Sequence, residues 1–328
     1  MRLIAALLTL LFATACAPGG GPTRHSAQVS PASSSPIPVT SNSPEPQLPP
    51  YYIESLRRRS PAGGAIELGA MMFRGSGFTK REMSWPSAGR RMTGTISLPD
   101  GQGPFPVVVV VHGYIPASRY WVGQDSGIFG DPMATHGFIS VAPNYPGYAG
   151  SDPGDPELPA IVAVTASVMD LVASLDSLPQ ADVARVGFIG HSNGGGVGLL
   201  ELVSDSRIRA YALFAPVSRD MADNARMWWL GNGSAGPAGS PDQNATAYQH
   251  MSPRNYFAAG QAPALFLQGT ADEEIPADWT NTTVAALQAA GVKTDVGWFP
   301  GGHHDLVGSQ LAAADSQAEG WIRTALSG

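Results

Sequence analysis

The sequence is poor in charge and almost without cysteine. Charged residues make up 14% of the 328 positions, against roughly 25% in an average soluble protein. The balance is acidic, with a net charge of −7, and a nucleic-acid binder would instead carry a basic face. A single cysteine, Cys16, excludes an intramolecular disulfide and any cysteine-held metal cluster. There is no glycine triplet repeat, no sustained heptad, and no second long apolar run after the N-terminal one. Collagen, coiled-coil and multi-span membrane architectures are therefore excluded. What the chain does have is glycine and proline, 39 and 29 residues, and 43% hydrophobic residues, enough for a sizeable core.

The lone cysteine closes a leader. Residues 1–16 carry one positive charge at Arg2, a short apolar stretch from Leu3 to Phe12, and small residues before Cys16. That is the layout of an export signal, too short to span a bilayer comfortably. It resembles a bacterial lipoprotein signal, which implies Cys16 as the lipidated first residue of the mature chain and a membrane anchor. Ala13 stands where that pattern usually has leucine, and free secretion after cleavage near Ala15 or Ala17 is the alternative. Residues 17–50 are rich in Pro, Ser, Thr and Gly with no apolar period. They are expected to form a disordered tether. The folded domain is expected over 51–328.

Within it, β-type and helix-type patterns alternate. Strands are expected at 78–85 and 92–98, an antiparallel pair around the turn residues 86–89, then at 105–112, 138–142, 185–190, 210–214, 264–268 and 294–299. Helices are expected at 158–178, 194–204, 277–290 and 306–326. The run Val107 to Val111 fits a strand buried on both faces. Such alternation predicts a doubly wound, mostly parallel α/β sheet with antiparallel strands at its start. Residues 219–258 interrupt the rhythm and are expected to be a small cap-like insertion over a site.

Gly190-His191-Ser192-Asn193-Gly194 fits the pattern of a nucleophilic serine on a strand-to-helix turn. The pattern alone is weak in so glycine-rich a chain. Its context strengthens it, because a strand pattern precedes it and a small-residue helix start follows. A sharp turn would lift Ser192 out of the sheet, and the N-terminus of the next helix would point backbone N–H groups at a developing oxyanion. Ser192 is then the candidate nucleophile and the Asn193 N–H one oxyanion donor.

Four further stretches, in order, resemble the α/β-hydrolase superfamily, in particular its prolyl-oligopeptidase-like and dienelactone-hydrolase-like branch. They are Pro106 to Tyr114, Val141 to Ser151, Gly269 to Pro276 and Phe299 to Leu306. The resemblance implies Asp272 as the acid, with Glu273 and Glu274 as alternatives. It implies His304 as the base by the aromatic-Pro-Gly start of its loop, although the Gly-His step would select His303. The Tyr114 N–H would be the second oxyanion donor. His112 precedes the serine, the wrong order for a base in this fold, and is expected to fix its loop. His250 falls in the insertion and is expected to be structural. The candidate substrate wall is aromatic, drawn from Tyr114, Tyr120, Trp121, Trp228, Trp229 and Trp279, with Tyr114 and Trp228 or Trp229 nearest the site.

The expected activity is ester hydrolysis through an acyl-enzyme on a small-molecule substrate, with no metal or organic cofactor implied. Peptidase members of the branch often carry an N-terminal propeller as a gate, and none fits before residue 78. An oligopeptidase-like peptidase and a non-catalytic ligand-binding lipoprotein are the competing readings.

Overall fold

The computed structural model describes residues 47–231 and 234–327. The leader, Cys16 and the tether up to residue 46 lie outside the described residues. The compact unit begins at Gln47.

Five consecutive valines set the centre of the fold. In β4 (Phe105–Val111) each of Val107 to Val111 is fully buried. Successive side chains of a strand point to opposite faces. Val107, Val109 and Val111 accordingly join one core, and Val108 and Val110 join the other. Full burial of one such side chain is worth about 1.5–3 kcal/mol, which fixes β4 as a central strand covered on both sides.

Among the described residues, nine strands form one sheet in the order β1-β2-β3-β5-β4-β6-β7-β8-β9. β1 (Glu67–Arg74), β2 (Phe78–Ser87) and β3 (Arg90–Pro99) run antiparallel, and β3 also meets β5 (Ile139–Pro143) antiparallel. From β5 onward, through β4, β6 (Ala181–His191), β7 (Ala210–Phe214), β8 (Ala264–Gly269) and β9 (Thr294–Phe299), every pairing is parallel. The β2–β3 hairpin turns on Ala88 and Gly89, both at positive φ, the two-residue turn that matches strand twist. α2 (Ser126–Thr135) and α8 (Gly308–Leu326) cover one face. α3 (Ala160–Ser174), α4 (Asn193–Ser204) and α7 (Ala277–Ala289) cover the other. α3 is apolar enough by composition to cross a membrane, but most of it is buried inside the protein, as befits a core helix.

Three elements were not expected from the sequence. α1 (Ile53–Arg58) is short. α2 contains Gly127, Gly130 and Pro132, residues that disfavour a helix. β1 is an edge strand whose eight residues are all exposed, so no burial imposes a period on it. Residues 219–258 fold into short turns of helix, including α5 (Met221–Asn224), a π-turn at Ala225–Trp229 and α6 (Ala245–Met251).

The fold also buries a carboxyl without a partner. Glu201 on α4 is fully buried, and neither side-chain oxygen has a hydrogen bond among the described residues. Burial, reinforced by Asp205, outweighs Arg207 and Arg59 and holds its pKa well above the ordinary glutamate value. A carboxyl with a raised folded pKa contributes stability at low pH and loses it as pH rises above the unfolded pKa. Glu201→Gln should therefore match the wild type near pH 4 and exceed it by a margin that widens toward pH 8. A gain of about 1 kcal/mol would appear in thermal melts as roughly 2–4 °C.

Candidate active site

The chain reverses direction across the sheet between β4 and β6, which lie side by side with Val111 opposite Gly190. The loops leaving such neighbours diverge and open a crevice at the carboxyl ends of the strands. Ser192 sits in that crevice. It has φ 54° and ψ −116°, a conformation costing on the order of 1–3 kcal/mol for a residue with a side chain. The surroundings hold it there. Its N–H donates to the Phe214 carbonyl at 2.8 Å, and its own carbonyl accepts from Gly196 and Val217. A Cβ at Gly194 would meet the carbonyls of Val111 and His112, and one at Gly190 would meet the backbone of Gly194. The flanking glycines are thus needed for close backbone approach. The first N–H groups of α4, Asn193 among them, have no acceptor within the helix.

The base and acid loops leave β9 and β8, and they are laced together. Thr270 N–H donates to the Phe299 carbonyl, Ala271 N–H to that of Gly302, and Gly301 N–H to Thr270 Oγ1. His304 Nδ1 lies 3.1 Å from both oxygens of Asp272, and both side chains are buried. Asp272 also accepts from Gln268 Nε2 and from the N–H groups of Glu274 and Ile275. Burial opposes its ionisation, but the hydrogen bonds from His304 and those N–H groups prevail and hold its carboxyl below the usual range. The competing residues are placed otherwise. The His303 ring is largely exposed and pairs with Glu273. Glu274, also exposed, approaches the other ring nitrogen of His304 at 3.7 Å.

Ser192, Asn193, His304 and Tyr114 line one cavity of about 1370 Å³, together with Trp121, Trp228 and Trp229. Tyr114 and Trp121 are more than half exposed at its mouth. Tyr120 and Trp279 are not in its wall. Tyr120 donates to Asn144 Oδ1, and Trp279 packs edge-on against Trp228. His112 is fully buried between Tyr145 and Tyr120, with ring centroids at 3.9 and 4.6 Å. Burial, only partly offset by the Gly113 carbonyl and Asp125, drives its pKa down to about 4, so it stays neutral. His250 pairs with Glu54 and stacks on Tyr52.

Three site residues escaped the sequence reading. The Tyr145 hydroxyl donates to the His112 carbonyl and receives Asn193 Nδ2, tying the β4 loop to α4. Asp125, at φ 63°, accepts the Gly113 N–H at 2.6 Å and pairs with His191. His191 occupies the unspecified position of the serine motif, so the motif is blind to it. Nothing in the sequence around Asp125 marks it.

A parallel sheet with a strained serine turn, and an Asp–His couple on later loops, defines the α/β-hydrolase fold and the class of serine hydrolases. The family model described as "Prolyl oligopeptidase family" matches residues 131–327, more than half of the chain. The chain belongs to the prolyl oligopeptidase family. No curated protein matches it. Solved structures with the same fold include acetyl xylan esterase 1 from Thermoanaerobacterium sp., with a TM-score of 0.62, 18% identity, and coverage of 82% of this chain and 90% of that one. Dipeptidyl peptidase 4 of Porphyromonas gingivalis has a TM-score of 0.60, 18% identity, and coverage of 76% and 36%. Acylaminoacyl peptidase of Pyrococcus horikoshii has a TM-score of 0.61, 19% identity, and coverage of 75% and 41%. The chain thus spans nearly all of the esterase and well under half of either peptidase.

The two adjacent histidines separate cleanly by mutation. His303→Ala should leave kcat/KM within about threefold of wild type, since its ring faces solvent. His304→Ala should lower it by about 10³-fold or more. Steady-state kinetics on any turned-over substrate checks both.

Proposed function

We propose that the protein is an exported serine esterase that cleaves carboxylic esters through Ser192, His304 and Asp272. The observation that carries this reading is the buried His304–Asp272 couple facing the same cavity as a serine held at positive φ. Asp272 fixes the imidazole tautomer with the proton on Nδ1, which leaves Nε2 free to accept. Nε2 takes the Ser192 proton as its oxygen attacks the ester carbonyl. The oxyanion that forms is met by the N–H groups of Tyr114 and Asn193. Collapse expels the alcohol, which receives the proton from His304. Water, activated by the same histidine, then releases the acid and restores the enzyme.

Ester rather than peptide chemistry is supported by the wall. The solved structures of this fold include an esterase and several peptidases, so the fold alone does not choose between them. The cavity wall includes Trp121, Trp228, Trp229, Leu158 and Ile161, alongside charged groups such as Lys80, Asp131 and Asp155. The apolar part of that surface rewards apolar acyl or alkoxy groups. The second reading, a peptidase acting on short peptides, is favoured by the family.

Wild type should hydrolyse p-nitrophenyl esters and react with a fluorophosphonate probe, and Ser192→Ala should do neither. Failure of a folded wild type on both counts would remove the serine mechanism. Activity on peptides alone would select the second reading. Trp228→Ala should shift the preferred acyl chain toward bulkier groups, read from a series of two to twelve carbons.

Export with lipidation at Cys16 is part of the same proposal, supported by the leader and the Pro/Ser-rich segment after it. The full chain should sediment with membranes, and Cys16→Ser should release it into the soluble fraction.

A further inference from the structure

His191 is buried beside Ser192, and its ring meets the other two loops of the site. Nδ1 lies 3.0 and 3.2 Å from the oxygens of Asp125. Asp125 in turn accepts the N–H of Gly113, the residue before Tyr114. Nε2 lies 3.5 Å from Asp305 Oδ1, and the ring centroid lies 5.0 Å from that of His304. The titratable groups facing it are Asp125 before α2, His304 and Asp305 on the base loop, and His112 at the end of β4. Phe129 of α2 closes the apolar side at 5.8 Å.

A neutral imidazole has one donor and one acceptor. Both ring nitrogens of His191 face oxygens that only accept. Both are satisfied only if both carry protons, and then neither has a lone pair to take the proton of Ser192. A second general base is therefore excluded, and a different role follows.

We propose that His191, as an imidazolium, is a positioning residue that pins the oxyanion loop, through Asp125 and Gly113, and the base loop, through His304 and Asp305, to the nucleophile turn. The proposal rests on the esterase reading for the reaction it serves. The strained backbone of Asp125, at positive φ without a glycine, is what a carboxylate forced to reach two loops would cost. The charges agree with this. Burial works against a proton on His191, but Asp125, Asp305 and the His304 backbone outweigh it and its pKa is raised. Burial likewise works against an ionised Asp125, but His191 and the Gly113 N–H outweigh it and its pKa is lowered. A histidine with a raised folded pKa keeps its contribution at low pH and loses it as pH rises through that pKa. The site should therefore loosen on the alkaline side.

The test uses the full chain and p-nitrophenyl acetate. Fluorophosphonate labelling of the wild type reports first whether the serine mechanism holds, so failure there falls on the esterase reading and not on the clamp. In Asp125→Asn the side chain can still accept from Gly113, but its charge is gone. Its kcat should drop about 10- to 100-fold, less than the roughly 10²–10³ that outright loss of one oxyanion donor costs, with KM within about threefold. The alkaline limb of its kcat profile should move to lower pH while the acid limb stays. His191→Phe should show a similar loss in kcat and no such limb. An unmoved alkaline limb in folded Asp125→Asn, or a kcat within twofold of wild type in folded His191→Phe, would overturn the proposal. Should both variants fail to fold, NMR titration of the His191 ring in Ser192→Ala decides. A ring that titrates above the ordinary histidine value supports the clamp, and one neutral throughout pH 5–8 defeats it.

Discussion

At Gly194 the first turn of α4 lies so near the carbonyls of Val111 and His112 that no side chain would fit between helix and strand. That approach brings the start of the helix over the end of β4. It follows that the free N–H groups of α4 and the loop after β4 face one point, and that Ser192 must take its strained conformation to connect β6 to the helix. The hydrogen bonds that hold the strain come from β7, through Phe214, and from Val217 beyond it. A contact between Gly194 and the backbone at the end of β4 therefore governs where the nucleophile, the oxyanion donors and the neighbouring strand can lie.

The supports of the site differ in physical kind. The acid and base loops are joined by backbone hydrogen bonds and by a buried hydrogen-bonded couple. The loop after β4 is held by side chains, with Tyr145 and Asn193 on one flank and Asp125 with His191 on the other. His112 fills the space between the tyrosines as a neutral ring. Backbone lacing tolerates many substitutions, whereas side-chain supports fail one residue at a time.

The parallel half of the fold was legible because its inner strands are buried on both faces and read as apolar runs. The strands at 210–214 and 294–299 coincide with β7 and β9, and the helices at 194–204 and 277–290 fall within a residue of α4 and α7. β1 was not legible because it places no side chain in a core, and α2 was not because glycine and proline mask it. The strand–serine–helix context singled out Ser192. The resemblance singled out Asp272 and His304, which the structure brings into contact. Asp125 and His191 stayed hidden for a different reason. Their importance lies in a pairing between distant positions, and no local period or spacing encodes that.

The edge position of β1 has a consequence for handling the protein. Leu68, Met71, Met72 and Phe73 are exposed on a strand whose outer N–H and C=O groups have no sheet neighbour among the described residues. Such an edge is a template on which a further strand can grow. Its flanks carry charge at Glu67 and Arg74, the latter held by Asp100, which blunts its two ends but leaves the apolar middle open. In concentrated solution, self-association is expected to begin at this strand rather than at the buried valines, and a lysine introduced at Met71 is the change that would discourage it.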